Sequence, residues 1–249
     1  MMEEKIKIYG LIGRNIDYSF SKDYFNKKFK REKIVNSCYK NFDLKEIDQF
    51  NNLIKQKNII GLNVTIPYKK SIIKYLDKID KTAKKINAVN TLIFDKKKGI
   101  VGYNTDYYGF KKSLTETLKI KPENAFILGT GGASSAVEYV LNEIQIPYKI
   151  VSRNPVSDQI HYKELTNNLI KKYTLIINTT PLGTYPNISK YPDIPYTFLN
   201  KTNYLFDLIY NPSTTKFLEL GLKNGTKIQN GYKMLIYQAE KSWELWNNI

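Results

Sequence analysis

The sequence predicts an α/β protein of two domains, and three observations carry the prediction. Short apolar, β-like runs alternate with amphipathic helical stretches from Lys5 onward, opening in the order βαβαβ, which favours a parallel sheet. A glycine-rich turn near residue 129 follows a buried strand, precedes a helix, and has another strand about twenty residues on. A chain of 249 residues with 42% hydrophobic side chains is long enough for one large or two smaller cores.

Lys5 to Ile12 alternates and then turns apolar as a first strand should, and Gly13 to Ser21 follows as a polar loop. Lys22 to Phe29 reads as an amphipathic helix and Cys38 to Phe42 as a second strand. Leu44 to Lys57 reads as a helix carrying Ile47, Phe50, Leu53 and Ile54, and Ile59 to Ile66 as a third strand. Pro67 cannot donate to a ladder, so the strand stops there and gathers Asn63, Thr65 and Lys69 around its end. An amide, a hydroxyl and an ammonium group suit an oxygen-rich small molecule; a strand running into a charged helix start accounts for the same residues. A lysine-rich helical stretch follows from Lys69 to about Lys85. INAVNTLIF and GIVGYNTD then form a hairpin around Lys96-Lys97-Lys98-Gly99 that closes the first domain.

Tyr107 to Lys119 is helical in pattern, and Lys121-Pro122-Glu123-Asn124 breaks it. Ala125 to Leu128 is a short buried strand leading into Gly129, Gly131, Gly132 and Ala133, where glycines admit a close backbone approach and a helix N-terminus favours an anion such as a diphosphate. The next strand, Tyr148 to Ser152, ends in Ser152-Arg153-Asn154 where an NAD-binding domain places Asp or Glu. A guanidinium with hydroxyl and amide neighbours suits a 2′-phosphate, hence NADP; a solvent-facing arginine after a strand is the alternative. Strands at Thr174 to Asn178 and Tyr204 to Leu208 follow, with a Pro-rich loop to Pro195 between them and a helix at Thr214 to Asn224. The strand ends at Leu128, Ser152, Asn178 and Leu208 can then open on one edge of a sheet. Tyr232 to Trp246 is an amphipathic helix whose Met234, Leu235, Ala239, Trp243 and Trp246 need a partner surface.

Composition narrows the chemistry. Cys38 is the only cysteine and His161 the only histidine, so no intrachain disulfide, thiolate metal cluster or multi-histidine metal site is expected, and a Ser-His-Asp hydrolase would depend on His161, which reads as a surface histidine in a loop. An acid or base acting near neutrality is therefore a lysine, carboxylate or tyrosine. The net charge of +16 raises nucleic acid as a partner, yet Arg14, Arg31 and Arg153 are the only arginines and the lysines are spread along the chain, which points to an anionic small ligand instead. The charged start, Met1 to Lys7, lacks a signal peptide's apolar centre and no run is long and apolar enough for a membrane span, so a cytoplasmic protein is expected.

Nine segments in order, Tyr18-Ser19-Phe20-Ser21, NVTIPYK, AVNT, NTDYYG, GTGGAS, SRN, NTTPLG, DLIYNPSTT and GYKMLIYQA, give a chain that resembles the NADP-dependent shikimate dehydrogenase family nearly end to end. The resemblance implies reversible reduction of 3-dehydroshikimate to shikimate, a step of aromatic amino acid (chorismate) biosynthesis, by a monomer or homodimer. It implies a substrate domain of residues 1–105 with the terminal helix 232–249, and a Rossmann-type parallel-sheet NADP domain of 106–231, with the site in the cleft between them. Ser19 and Ser21 would hold the substrate carboxylate, and Asn63, Thr65, Asn90, Asp106 and Gln238 the ring hydroxyls, with Tyr210 close by. Lys69 and Asp106 would be the catalytic pair. Gly129, Gly131, Gly132, Ala133, Ser134, Ser152, Arg153, Asn154, Leu208 and Gly231 would contact the cofactor, with Thr179, Pro181, Leu182 and Gly183 on the nicotinamide side. The chain departs from the family pattern at Arg14 to Tyr18, which lacks the usual proline and histidine, at Lys22 in place of proline, at Asn87 in place of glycine and at Thr184 in place of methionine. Asn tolerates the left-handed conformation, so the turn at Asn87 is expected to survive. The rival readings are a quinate/shikimate or aminoshikimate-type paralogue, and a non-catalytic basic binding protein on the same scaffold.

Overall fold

Both faces of β1 (Lys7–Gly13) are covered, which is why Tyr9 to Gly13 are all buried. β1 pairs in parallel with β2 (Ser37–Asp43) on one side and β3 (Ile59–Val64) on the other. Beyond β3 the sheet changes direction: β4 (Lys78–Ile79), β5 (Thr91–Asp95) and β6 (Gly99–Tyr103) complete the order β2-β1-β3-β5-β6-β4, with β5 antiparallel to both neighbours. The sheet is therefore mixed, because the short turn between β5 and β6 reverses the chain whereas the earlier connections cross over. Gly99 holds that turn at φ +75, and Asp95 Oδ1 accepts from Lys97 N and Lys98 N, each at 2.8 Å.

The computed structural model describes residues 6–17, 19–118 and 120–248. Lys5 at the predicted start of β1, Tyr18 of the paired-serine motif and Lys119 at the predicted end of a helix lie outside them. The chain divides into Met1–Thr105 with Ala239–Ile249, and Asp106–Gln238.

In the first unit, α1 (Phe20–Arg31) and the C-terminal half of α8 (Tyr232–Asn247) cover one sheet face, where Tyr9, Phe25, Phe29, Tyr39, Ala239 and Trp246 share a core. The opposite face holds Phe50, Leu53, Leu62, Tyr68, Ile72 and Leu92. Two predicted helices are shorter than expected. Leu44 to Lys57 contains a 3-10 turn at Ile47–Gln49 and a single α-turn, α2 (Phe50–Leu53). Gln49 Oε1 there accepts from Lys45 N at 2.7 Å, and Asn51 and Asn52 are weak helix formers. The stretch from Lys69 to Lys85 divides into a 3-10 helix at Ser71–Tyr75, β4 and α3 (Lys81–Ile86). Two aspartates divide it: Asp77 Oδ2 accepts from Ile100 N at 2.7 Å, and Asp80 Oδ2 caps α3 through Thr82 N and Ala83 N at 2.8 and 3.3 Å. Asn87 ends α3 with φ 55 and ψ 37, the left-handed conformation expected of an asparagine in glycine's place.

The second unit opens with α4 (Asp106–Thr117). Its sheet is parallel throughout: β7 (Ala125–Leu128), β8 (Tyr148–Ser152), β9 (Ile160–His161), β10 (Leu175–Asn178), β11 (Tyr204–Asp207) and β12 (Lys227–Gln229) stand in the order β12-β11-β10-β7-β8-β9. Counted from β7, this is the doubly wound order 3-2-1-4-5-6. Helices α5 (Gly132–Glu143), α6 (Asn167–Lys172) and α7 (Lys216–Lys223) form the crossovers. Ile127, Phe110, Val137 and Phe206 make the core on one face, and Phe126, Ile176, Leu205 and Phe217 the core on the other. β7, β10 and β11 are buried at every position, as strands covered twice must be. β9, α6 and β12 have no counterpart in the sequence prediction, being too short to display a period. His161 ends β9 rather than lying in a loop, and its Nδ1 accepts from Lys163 N at 3.0 Å.

The terminal helix is divided between the units at Gln238 and Ala239, whereas the sequence assigns all of it to the first. Its first turns belong with α4: Met234 lies in the core with Phe110, a Cβ on Gly109 would stand 2.5 Å from Met234 O, and Tyr237 Oη donates to Glu116 Oε2 at 2.5 Å. Its later turns bring Ala239 and Trp246 to the first sheet. Among the described residues no helix is long and apolar enough to cross a membrane.

Trp246 is 3% exposed, lies 5.1 Å from the Tyr9 ring and 5.4 Å from the Phe25 ring, and donates Nε1 to Leu92 O at 3.0 Å. The indole also fills the space beside Gly61, where a Cβ would approach to 2.2 Å. Trp246→Ala is expected to lower the unfolding free energy by about 3–5 kcal/mol, read by denaturant titration with circular dichroism. A loss below about 1 kcal/mol would mean that the core closes without the indole.

Candidate active site

In the first unit the polar residues predicted at the end of β3 are held by hydrogen bonds from distant parts of the chain. Asn63, 5% exposed, accepts from Tyr39 Oη on Oδ1 at 2.8 Å, while its Nδ2 lies 3.2 Å from Asn90 O, 3.2 Å from Thr91 Oγ1 and 3.0 Å from Ser242 Oγ. The register pairs Asn63 with Thr91, which is why the AVNT segment reaches it. Asn90 is locked in turn: Thr105 N donates to its Oδ1 at 2.6 Å, and its Nδ2 donates to Thr105 Oγ1 at 3.0 Å. Thr65 N donates to Ile12 O at 2.8 Å, fixing the strand end against β1. Lys69 is half-buried, and its carbonyl accepts from Val89 N at 2.8 Å, which ties it to the residue before Asn90.

Ser19 is the N-cap of α1, accepting from Ser21 N at 3.3 Å through a lone pair, a role that does not use its hydroxyl hydrogen. Burial pushes the pKa of the Tyr39 phenol well above its ordinary value, against a smaller lowering effect of the nearby Ser21 hydroxyl.

In the second unit, β8 and β10 lie on opposite sides of β7, so the strand order reverses between β7 and β10, the place at whose C-terminal strand ends open α/β sheets form their ligand crevice. Thr179 N and Thr179 Oγ1 both donate to Leu128 O, at 3.0 and 2.7 Å, closing its floor. Gly129 has φ +111, and a Cβ there would stand 2.9 Å from Thr179 Oγ1, so glycine is required twice over. Gly131 caps α5 without a side-chain hydrogen bond, and a Cβ there would meet nothing within 4 Å, so the backbone at the start of the helix is open on that side. Ser134, fully buried, donates to Gly129 O at 2.8 Å and fixes the turn. At the end of β8, Arg153 and Asn154 are exposed, and Asn154 N donates to Ser152 Oγ at 3.2 Å.

Past β10, Asn178 organises NTTPLG: its Oδ1 accepts from Thr180 N at 3.0 Å and Thr180 Oγ1 at 2.7 Å, and Nδ2 donates to Asp207 Oδ1 at 3.0 Å. Pro181 is exposed, Leu182 half-buried, and Gly183 turns the chain at φ +102. Leu208 N donates to Asn178 O at 3.0 Å; Gly231 must be glycine because a Cβ would fall 2.0 Å from Leu208 O.

The family model for the shikimate dehydrogenase substrate binding domain matches residues 11–92. The curated shikimate dehydrogenase (NADP(+)) of Methanococcus vannielii is 39% identical over 270 residues, covering 100% of this chain and 94% of that one. Its counterpart from Clostridium botulinum is 40% identical over 248 residues, 95% of each chain. The chain belongs to the shikimate dehydrogenase family. A solved shikimate dehydrogenase in complex with NADP+ matches with a TM-score of 0.85 at 34% identity, covering 100% of this chain and 92% of that one.

Within the shikimate dehydrogenase frame, Ser19, Ser21, Asn63, Thr65, Lys69 and Asn90 lie in the first unit, and Asp106, Tyr210, Gln238 and the expected cofactor residues in the second. Asp106 starts α4 and is buried; Tyr210 and Gln238 are half-buried, and Gln238 Nε2 donates to Leu235 O at 2.9 Å. A Cβ on Gly131 would meet nothing within 4 Å, and Arg153 is exposed at the strand end, so an open turn and a guanidinium, the groups that NADP's diphosphate and 2′-phosphate call for, are both present in the second unit.

Sequence reasoning gave no role to Tyr39 or Ser242, whose segments carry no motif signal, or to Asp207, which it quoted only as a motif letter. Asp207, fully buried, accepts from Asn178, from Ile209 N at 3.0 Å and from Thr215 Oγ1 at 2.5 Å. Burial pushes its pKa up to about 7, against the lowering effect of the three hydrogen bonds. A carboxyl with a folded pKa above its unfolded value binds its proton more tightly when folded, so its contribution to stability is present below about pH 4 and declines as pH rises to about 7. Asp207→Asn removes this titration: the difference between wild-type and variant unfolding free energies is expected to slope between about pH 4 and 7 and level off above. A flat difference would show that Asp207 ionises in the folded protein as it does in the unfolded one.

Proposed function

We propose that this chain catalyses the reversible NADP-dependent reduction of 3-dehydroshikimate to shikimate, with Lys69 and Asp106 as its acid/base pair. The observation that carries the reading is that relatives named shikimate dehydrogenase (NADP(+)) align over 95 to 100% of the chain at 39 to 40% identity.

NADPH supplies the hydride for the ring ketone. The protein's part is to hold the ring and to manage charge on the carbonyl oxygen. As that oxygen gains negative charge, the Lys69 ammonium donates the proton that neutralises it, and in the reverse direction Lys69 accepts the hydroxyl proton. Asp106 orients the same hydroxyl by accepting its hydrogen bond. Ser19 and Ser21 donate to the substrate carboxylate, an acceptor stronger than a neutral oxygen. Asn90, Thr65, Gln238 and Tyr210 serve the ring hydroxyls, and Asn63 keeps one Oδ1 lone pair beyond its Tyr39 hydrogen bond for the same purpose.

On the cofactor side, Gly129, Gly131, Gly132, Ala133 and Ser134 surround the diphosphate, and Ser152, Arg153 and Asn154 the 2′-phosphate. Thr179, Pro181, Leu182, Gly183, Leu208 and Gly231 line the nicotinamide side. Both ligands are small polar solutes, and the enzyme acts on them in the cytoplasm as a monomer or homodimer.

Steady-state assay of shikimate and quinate, each with NADP and NAD, tests the assignment. Turnover of shikimate with NADP is expected to dominate; comparable turnover of quinate with NAD would replace the reading with that of a paralogue. Lys69→Ala is expected to lower kcat by about 10²–10⁴-fold with little change in NADP affinity, and a near-normal kcat would remove Lys69 as proton donor. Arg153→Ala is expected to raise the KM for NADP and leave that for NAD nearly unchanged. Equal losses with both cofactors would exclude a 2′-phosphate contact.

A further inference from the structure

The hydrogen bonds that hold Asn63 and Asn90 converge on a residue of the terminal helix with no place in the proposed chemistry. The hydroxyls of Thr91, Thr105 and Ser242 form a triangle: Thr91 to Ser242 is 2.8 Å, Thr105 to Ser242 is 3.1 Å and Thr91 to Thr105 is 3.3 Å. Exposure is 0% for Thr91 and Ser242 and 1% for Thr105, so each hydroxyl hydrogen must find a protein acceptor. Two amides donate into the triangle, Asn63 Nδ2 to Ser242 at 3.0 Å and Asn90 Nδ2 to Thr105 at 3.0 Å. Asn90 Oδ1 receives hydroxyl hydrogens in return, 3.1 Å from Thr91 Oγ1 and 3.2 Å from Thr105 Oγ1.

This arrangement decides which way each amide faces. Asn63 has its oxygen on Tyr39 and its nitrogen on Ser242; reversing it would set an NH2 group against a phenol that donates and an oxygen against the Asn90 carbonyl. The linked series therefore runs from Tyr39 through Asn63 and Ser242 to Thr105 and Asn90. Two of its members, Asn63 and Asn90, are the amides expected at the ring hydroxyls. Without the Ser242 oxygen, Asn63 Nδ2 would be left to Thr91 and the Asn90 carbonyl, and Thr91 would lose its nearest partner. Ser242 also stands four residues after Gln238, on the same face of α8.

We propose that Ser242 is a positioning residue for substrate binding, its hydroxyl setting the side-chain orientations of Asn63 and Asn90. The proposal rests on the reading of Asn63 and Asn90 as substrate ligands. It predicts an effect confined to the substrate, because no residue of the series belongs to the expected cofactor set.

The test compares wild type, Ser242→Ala, Tyr39→Phe and the double variant, with KM for shikimate, KM for NADP and kcat measured separately. Each single variant is expected to raise the shikimate KM about threefold to thirtyfold while the NADP KM stays within about twofold, as loss of one buried hydrogen-bonding group implies. Because both act through Asn63, the double variant is expected to raise the shikimate KM by less than the product of the single effects. Ser242→Ala with a wild-type shikimate KM, or with both KM values raised alike, would overturn the proposal. Should Ser242→Ala fail to fold, Tyr39→Phe decides by the same split. Wild type without turnover of shikimate would strike the reading of the site, and the proposal with it; an active wild type beside an unaltered variant strikes the proposal alone.

Discussion

A buried amide at the end of a central strand is the constraint on which the first unit depends. Asn63 lies between β1 and β5 with 5% exposure, where an unpaired amide would cost about 1–3 kcal/mol for each orphaned group. Its partners come from β2, from the segment leading into β5, and from α8, separated from it by 24, 27 and 179 residues. Satisfying one side chain therefore aligns three parts of the chain at one point. The strand ends that carry Thr65 and Asn90 are held by the same alignment, and the carbonyl of Lys69 is pinned beside them.

The second unit solves the same problem with different residues. Asn178 and Asp207 end β10 and β11, both fully buried, and one hydrogen bond joins them. Asn178 shapes the turn after its own strand through Thr180, while Asp207 reaches forward to Ile209 and Thr215, the N-cap of α7. In both units the loops with the candidate ligands are irregular, and the rigid part is a polar group at a strand's C-terminal end that those loops must satisfy. Such an anchor is more exacting than an apolar one: a hydrophobic contact tolerates sliding, whereas a buried donor must meet an acceptor within a few tenths of an ångström.

This difference explains what was legible in the sequence. Alternation and glycine spacing located β1, β3, β5, β6, β7, β8 and β10, because a strand's period and a turn's need for positive φ are properties of neighbouring residues. The left-handed Asn87 could be foreseen for the same reason, as could the glycine at 129. The 3-10 helix at Ser71–Tyr75 could not, since Asp77 breaks the lysine-rich stretch by accepting from Ile100, a partner 23 residues away that local pattern cannot supply. Among candidate site residues, those within motifs were legible. Tyr39 and Ser242 were not, because an isolated tyrosine on a strand and an isolated serine on a helix acquire meaning only when Asn63 lies between them.

The excess of positive charge acts at another level. A formal charge of +16 attracts anions to the whole surface, an effect that falls off over about 8 Å at physiological ionic strength and does not discriminate among them. Discrimination requires donors with direction. With only three arginines available, Arg14 engages Asp43 and Arg31 engages Glu32, at 3.0 and 2.9 Å, whereas Arg153 stands exposed at the end of β8. On the substrate side the groups gathered around Asn63 are hydroxyls and amides without net charge, whose selectivity lies in orientation alone. A ring bearing several hydroxyls offers both donors and acceptors, so an array that can present either at a fixed point distinguishes one hydroxyl arrangement from another, which a field of lysines cannot. Under the proposed function, it is therefore the buried hydrogen bonds, and not the abundant surface charge, that would carry the recognition.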